Sequence, residues 1–360
     1  VPTVIVTGSC GLIGSQTARF FCEKGFDCIG IDNNMRRSFF GSDGSILKNR
    51  NMLQKGLPRY RHLWFDIRDQ VQINSVFKKY RNSIQLVVHA AAQPSHDWAA
   101  RAPLVDFDIN ARSTICILEA LRRNCPRAVF ILTSTNKVYG DRPNNLDFVE
   151  LKSRYELPRT HEYYKGINET MPVDQCMHSL MGASKLSADM VAQEYGKYFG
   201  LKTGIFRLGC VSGPAQAGVK MHGFLSYMVQ CCVVKRPYVI YGYHGKQVRD
   251  SIHSYDLANA FYQFYKKPSS GEVYNMGGGR GSSVSVREAI ALCERVSNEK
   301  INFRYSPAPR RGDHKWWISD VSKFKAQYPE WKYTYTLLGS LREIYAFQRE
   351  RMKVKLPAYR

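Results

Sequence analysis

What the chain lacks narrows the field first. No stretch of its 360 residues approaches the roughly 20 consecutive apolar positions that a membrane helix needs, and no basic-then-apolar secretory leader opens it. It has no internal repeat and no low-complexity linker, which excludes solenoids and disordered tethers. Its ten cysteines include no paired Cys-x-x-Cys spacing, and adjacent Cys231 and Cys232 suit a disulfide framework poorly. The expectation is free thiols in a reducing, cytoplasmic compartment, with no metal and no membrane partner.

Acid is scarce. Asp and Glu number 30 against 52 Lys and Arg, a formal net charge of +22. The basic residues are spread out, thickening only at Arg36-Arg37, Arg122-Arg123, Arg310-Arg311 and over residues 349–355. They do not alternate with aromatics along a stripe, so a nucleic-acid partner is not expected. The charge reads as a general surface bias plus a phosphate-binding cleft. With 44% hydrophobic and 23% charged residues, the chain can fill one layered domain and a smaller lobe.

What is there is an alternation of strands and helices. Val4-Ile5-Val6 reads as a buried strand, followed at once by Thr7-Gly8-Ser9-Cys10-Gly11-Leu12-Ile13-Gly14. An amphipathic stretch over residues 15–24 precedes a second strand, residues 28–31, which ends in Asp32 and Asn33. Further strands at 86–88, 129–132 and 203–206 are separated by helical stretches, 109–123 and 184–199 among them. The pattern predicts an α/β fold: a doubly wound parallel Rossmann sheet with a smaller C-terminal α/β lobe for substrate. Residues 1–208 form the first domain, with 249–280 returning to it, and 209–248 with 281–360 form the lobe. Residues 237–243 and 272–276 read as isolated strands, and the long polar segment 144–177 reads as a functional loop.

Glycines at a strand-to-helix turn let backbone N–H groups close on a pyrophosphate, where a Cβ would hold it off. Gly8, Gly11 and Gly14 stand at that turn. Asp32 can accept from both ribose hydroxyls, and its charge disfavours a 2′-phosphate, which favours NAD over NADP; Arg36 and Arg37 pull the other way. Asp66, followed by Ile67, either receives the adenine amino group or caps a helix.

These residues resemble the extended short-chain dehydrogenase/reductase superfamily, the NAD-dependent nucleotide-sugar epimerases and dehydratases. Landmarks match in order along nearly the whole chain: His89-Ala90-Ala91-Ala92 beside the cofactor, Asn110 in the following helix, and the run Thr133-Ser134-Thr135-Asn136-Lys137-Val138-Tyr139-Gly140. The segments 207–214, 249–256 and 310–313 follow. That run, with Gln93-Pro94-Ser95-His96-Asp97-Trp98 and His222-Gly223-Phe224, is most similar to the CDP-paratose 2-epimerase group. The resemblance implies NAD contacts from Leu12, Ile13, Ala90, Ala91, Ala92, Asn110, Thr133 and Lys185. For substrate it implies Gln93, Ser134, Thr135, Asn136, Cys210, His222, Phe224 and Tyr241, with Arg249 and Arg310 on a diphosphate and Arg311 as a helper. It also implies a cytidine diphosphate-linked sugar epimerised at C2 through a transient ketone, and a homodimer built on residues 99–123 and 184–199. A dehydratase using the same ketone, or a non-catalytic nucleotide-binding protein, are the alternatives.

One position departs from the pattern. The superfamily pairs a tyrosine with a lysine one helical turn later; here the lysine is Lys185 and four positions earlier stands Met181. A thioether carries no proton to exchange. Thr135 matches the family's Ser/Thr. Candidates for the missing acid/base are Lys137, Asn136, His96 and Asp97 from strand-end loops, and Asp174, Gln175, His178 and Ser179 before Met181. Lys137 and His178 are favoured, Tyr139 and the pair Trp316-Trp317 are expected to pack in the core, and Asn275 resembles a strand-end residue of the family.

Overall fold

A computed structural model of the chain describes residues 1–353 apart from 217, 220–222 and 311. Its strands begin with β1 (Thr3–Thr7), β2 (Asp27–Ile31), β3 (Tyr60–Leu63), β4 (Ile84–His89) and β5 (Val129–Thr135), then a short hairpin of β6 (Val149–Glu150) and β7 (Tyr155–Glu156). The rest are β8 (Thr203–Leu208), β9 (Cys210–Ser212), β10 (Tyr238–Tyr241), β11 (Val248–His253), β12 (Glu272–Met276), β13 (Ser283–Ser285), β14 (Phe303–Ser306) and β15 (Trp316–Trp317). Seven of them make one sheet in the order β12-β8-β5-β4-β1-β2-β3, every neighbouring pair parallel. Strand direction is shared, so each return needs a crossover on a face of the sheet.

The helices of the first half are α1 (Leu12–Glu23), α2 (Arg36–Phe40), α3 (Leu47–Gly56), α4 (Gln70–Tyr80), α5 (His96–Arg101), α6 (Pro103–Phe107) and α7 (Ser113–Asn124). Those of the second are α8 (Leu180–Phe199), α9 (Phe224–Val233), α10 (Ser254–Lys266), α11 (Val286–Ser297), α12 (Ser322–Gln327) and α13 (Leu337–Lys353). Period-two alternation divides the strand residues between two cores. Val4, Val6, Leu86, Val88 and Ile131 face the side of Phe20, Phe21 and Phe261 from α1 and α10. Ile5, Val87, Phe130 and Leu132 face the side of Ile73, Leu118 and Ala188 from α4, α7 and α8. Such strands are apolar throughout because both faces are covered.

The smaller lobe packs Met228 of α9, Ile290 of α11 and Leu341 of α13 around Ile240 of β10, which pairs with β14. Strand β11 runs parallel to β9 and β15 and antiparallel to β13.

Three sequence expectations are corrected. Residues 272–276 are no isolated strand: β12 closes the edge of the main sheet against β8. The continuous helix expected over residues 99–123 is broken, because Pro103 starts a new helix at α6 and Asp108–Arg112 winds as a π-turn before α7. The polar segment 144–177 is absent from the wall of the main cleft; its Leu157, Tyr163, Ile167 and Met171 form a fourth core with Trp316, Trp317 and Ile318.

A buried ion pair ties α8 to the sheet. Arg207 on β8 donates from Nε and Nη2 to the Asp189 carboxylate at 3.0 and 2.9 Å, which also accepts from Ser134 Oγ at 2.6 Å. The remaining guanidinium edge donates to the Tyr139 hydroxyl, itself bonded to Asn275. Removing one partner strands a charge in the interior. Asp189→Ala is therefore expected to lower unfolding free energy by about 3–5 kcal/mol, read from urea denaturation.

Candidate active site

The cleft opens where the strand order reverses, between β1 and β4, as ligand sites of doubly wound sheets do. The turn after β1 carries Gly8 at φ +64°, pressed so close to the next crossover that a Cβ there would lie 2.7 Å from the Ala91 backbone nitrogen. At Gly14 a Cβ would lie 2.1 Å from the Gly8 carbonyl oxygen. Gly11 is the N-cap of α1 and supplies no side-chain cap, so the positive end of that helix is left for an anion.

At the end of β2, Asp32 accepts from the backbone N–H of Cys10 and of Asn34, both at 3.0 Å. Burial pushes its carboxyl up, opposed by those N–H donors. Each oxygen keeps a lone pair for a ribose hydroxyl. Arg36 lines the same end, where burial lowers its guanidinium to about 10, opposed by Asp32. Asp66 accepts from Asn33 Nδ2 and from Arg68, both at 2.9 Å; the residue that caps the following helix is Asp69 instead. At this end Phe39 of α2, on the cleft wall, packs on Trp98 of α5, ring centroids 4.6 Å apart.

The geometry fits a dinucleotide: a crowded glycine turn, an uncapped helix start and a carboxylate one strand away. The residues expected to hold it, Gly8, Gly11, Leu12, Ile13, Gly14, Asp32, Asn33, Asp66, Ile67, Ala90, Ala91, Ala92, Thr133 and Lys185, all line a single cleft of about 460 Å³. Asn110 does not. It stands one layer behind, in the π-turn, bracketing the Gln93 backbone with bonds of 2.9 and 3.1 Å and reaching Ser184 Oγ at 3.0 Å.

Toward the other end, Thr135, Asn136, Lys137, Met181, Cys210, Phe224, Tyr241, Arg249 and Arg310 line the cleft together. Gln93 and Ser134 also reach its wall, but their polar groups are committed inward. Gln93 gives both amide hydrogens to Ser95 O and Asp106 Oδ1, and Ser134 gives its hydroxyl to Asp189. They shape the wall rather than offer donors. His222 and Arg311 lie outside the described residues.

Met181 is buried in α8, one turn before Lys185, as the sequence placed it. The Lys185 ammonium donates to the Thr133 carbonyl at 2.8 Å, and burial lowers it to about 8 against the pull of Asp189 and Asp106. His178 is not brought to the cleft: its Nε2–H donates to the Val138 carbonyl at 2.7 Å. Asp174, Gln175 and Ser179 are also absent from the wall, although Ser179 Oγ bonds His96 Nδ1 at 2.6 Å. Tyr139 and Trp317 stack in the core, centroids 5.5 Å apart.

Sequence reasoning missed Asp313. This buried carboxylate sits between two guanidiniums, paired with Arg249 and 3.7 Å from Arg310. Burial pushes its carboxyl up, but Arg249, Arg310 and Lys137 outweigh that and hold it well below the usual range. The signal was its place three residues after Arg310.

Comparison with known proteins comes down on one family. The model of the NAD dependent epimerase/dehydratase family matches residues 4–277. The CDP-paratose 2-epimerase of Salmonella typhi is 30% identical over 327 residues, covering 89% of this chain and 91% of that one. In fold, the chain resembles the UDP-glucose 4-epimerase of Thermus thermophilus, solved with NAD (TM-score 0.77, 23% identity, 96% and 99% covered). It also resembles the dTDP-glucose 4,6-dehydratase of Bacillus anthracis, solved with NAD (TM-score 0.76, 22% identity, 98% of each chain).

Two outcomes follow from this geometry. Gly14→Ala, forced against the Gly8 carbonyl, is expected to weaken dinucleotide binding by about tenfold or more while circular dichroism keeps its native form. Burial lowers Lys137 to about 7, against an ordinary lysine value of about 10.4. The unfolded chain thus holds more protons at this position between those values, so the ligand-free protein gains stability as pH rises from 7 to 10. Lys137→Met should remove that part of the gain in urea titrations across the window.

Proposed function

Because this chain belongs to the NAD dependent epimerase/dehydratase family, we propose that it is a nucleotide-sugar epimerase inverting C2 of a CDP-linked sugar of the paratose type. The observation that carries the finer reading is the 30% identity to CDP-paratose 2-epimerase along nine-tenths of the chain, joined to a cleft that keeps both diphosphate arginines. When bound, NAD supplies a hydride acceptor and donor, so oxidation and re-reduction leave no net redox change and need no second substrate.

The chain's own residues divide the work. Gly8, Gly11 and Gly14 hold the glycine turn against the Ala90–Ala92 backbone, and Asp32 takes the adenosine ribose. Arg249 and Arg310, both beside the Asp313 carboxylate, line the cleft together and can grip a diphosphate. A sugar tethered by that clamp can turn over while the nucleotide stays put, presenting its opposite face. Thr135 orients the reacting hydroxyl, and Lys185, fixed on Thr133, lies beside the cofactor ribose. Phe224 and Tyr241 flank the base.

The outer faces of α6, α7 and α8 carry exposed Leu104, Phe107, Ile115, Met190 and Tyr198, and these helices pack together. We place a homodimer interface there. All ten cysteines are free, which suits a reducing, cytoplasmic setting. No helix among the described residues is long and apolar enough to cross a membrane.

The test is incubation of holoprotein with CDP-paratose deuterated at C2, followed by proton NMR and by native mass spectrometry of released small molecules. The expected result is CDP-tyvelose with its deuterium retained and NAD released on denaturation. A keto or unsaturated product that accumulates points to a dehydratase instead. NADP in the released pool, or no conversion of the CDP-sugar, overturns the assignment.

A further inference from the structure

The family's helix tyrosine is replaced by Met181, yet the wall around it is built for proton transfer from another element. Lys137 follows β5, two residues beyond Thr135, and its backbone N–H donates to Thr135 Oγ1 at 3.2 Å. Its carbonyl is pressed against α8, where a Cβ at Gly182 would lie 3.0 Å from it. The residue therefore stands beside Met181, and its half-buried side chain lines the cleft.

Of the other titratable groups at this end, Asp97 lies at the exposed edge of the cleft, and those nearer Lys137 are committed elsewhere. Burial keeps His96 neutral, lowered to about 4, with Lys137 adding to the shift. Burial raises the Cys210 thiol to about 11, where it keeps its proton. The Tyr139 hydroxyl is occupied by Asn275 and Arg207, Lys185 is tied to Thr133, and His178 lies away from the wall. Asp313 pairs with Arg249 and Arg310 rather than with Lys137.

We propose, resting on the epimerase reading above, that Lys137 is the catalytic acid and base of this protein, standing in for the tyrosine that Met181 displaces. As the sugar carbon gives up its hydrogen with the electron pair to NAD, the hydroxyl proton passes to the Nζ lone pair. The products are a carbonyl and an ammonium. On the return, the ammonium gives that proton back to the carbonyl oxygen as hydride is restored to the other face of the carbon, so atoms and electrons balance. Asp313 faces the ammonium and stabilises it while the ketone lasts.

The groups around Lys137 poise it for both roles. Arg249 from β11, Arg310 and His314 from the segment before β15, His96 from α5, Cys210 from β9 and the Asp313 carboxylate face it. Burial is the largest influence, then Arg249, with Asp313 and Cys210 opposing, and the result is a group near 7. A base with that value exchanges protons at neutral pH, where an ordinary lysine would stay charged.

Three measurements test it. In wild-type holoprotein, kcat/KM for the CDP-sugar should fall below about pH 7. Lys137→Arg keeps the charge but cannot shed it to act as a base, and it and Lys137→Met should each lose roughly 10²–10⁴-fold in kcat, with KM moved far less by the arginine. Competitive acetylation with acetic anhydride, read by mass spectrometry, should give Lys137 a midpoint near 7 in the substrate-free holoprotein, against about 10 for surface lysines. A Lys137→Arg variant with wild-type kcat, or a Lys137 midpoint near that of surface lysines, overturns the proposal. Wild-type protein that converts no CDP-sugar indicts the substrate reading instead, and the acetylation midpoint still decides Lys137.

Discussion

The Gly8 backbone lies directly against the Ala91 backbone, and that approach fixes where the rest of the cleft can stand. It is possible only at the point where crossovers leave β1 and β4 on opposite faces, and only without a side chain at Gly8. Once those two turns touch, α1 has to start there with its N-terminus open, and β5 has to deliver Thr135 and Lys137 to the same wall. The helix α8 then has to pass with Met181 and Lys185 along that wall. A side chain at Gly8 would part the two crossovers, and every distance in the cleft would change with them.

Much of this was legible in the residues. Strand and helix types follow from period and from glycine placement, and the cradle residues fall where spacing put them. What escaped was decided by contacts distant in sequence. Asn110 is a polar helix residue with nothing local to say which layer it occupies; the π-turn rotates it behind Gln93 rather than toward the cleft. His178 and Lys137 looked alike as polar loop residues. Only the Val138 carbonyl, forty positions upstream of the imidazole, separates them. The segment 144–177 is polar in composition, but its few large residues suffice to dock it on Trp316 and Trp317. Asp313 is one carboxylate in a basic stretch until Arg249 arrives from another strand.

Electrostatically the site works by shortage. Lys137, Arg249 and Arg310 all border the Asp313 carboxylate, and a cation drawn from water is costly unless something anionic joins it. On the proposed reading a diphosphate would bring that anionic charge, so that binding and charge compensation would coincide at the nucleotide. Burial first, and Arg249 next, depress the lysine that stands among these arginines. As proposed, a single arrangement would serve recognition at one end and proton exchange at the other, with no helix tyrosine needed between them.

The contact of Phe39 with Trp98 bears on time rather than on geometry. Phe39 stands on the cleft wall near Asp32 and Arg36, so a dinucleotide held behind this contact would leave only if the two rings part. Were its residence to outlast the visits of the sugar nucleotide, the protein would acquire a memory. Whatever oxidation level one visitor leaves behind is inherited by the next. A ketone that escapes before it is reduced strands its host in the reduced form, silent toward further alcohols until another ketone resets it. Loss of activity during turnover would in that case reflect a mismatch between successive visitors, with the fold fully intact.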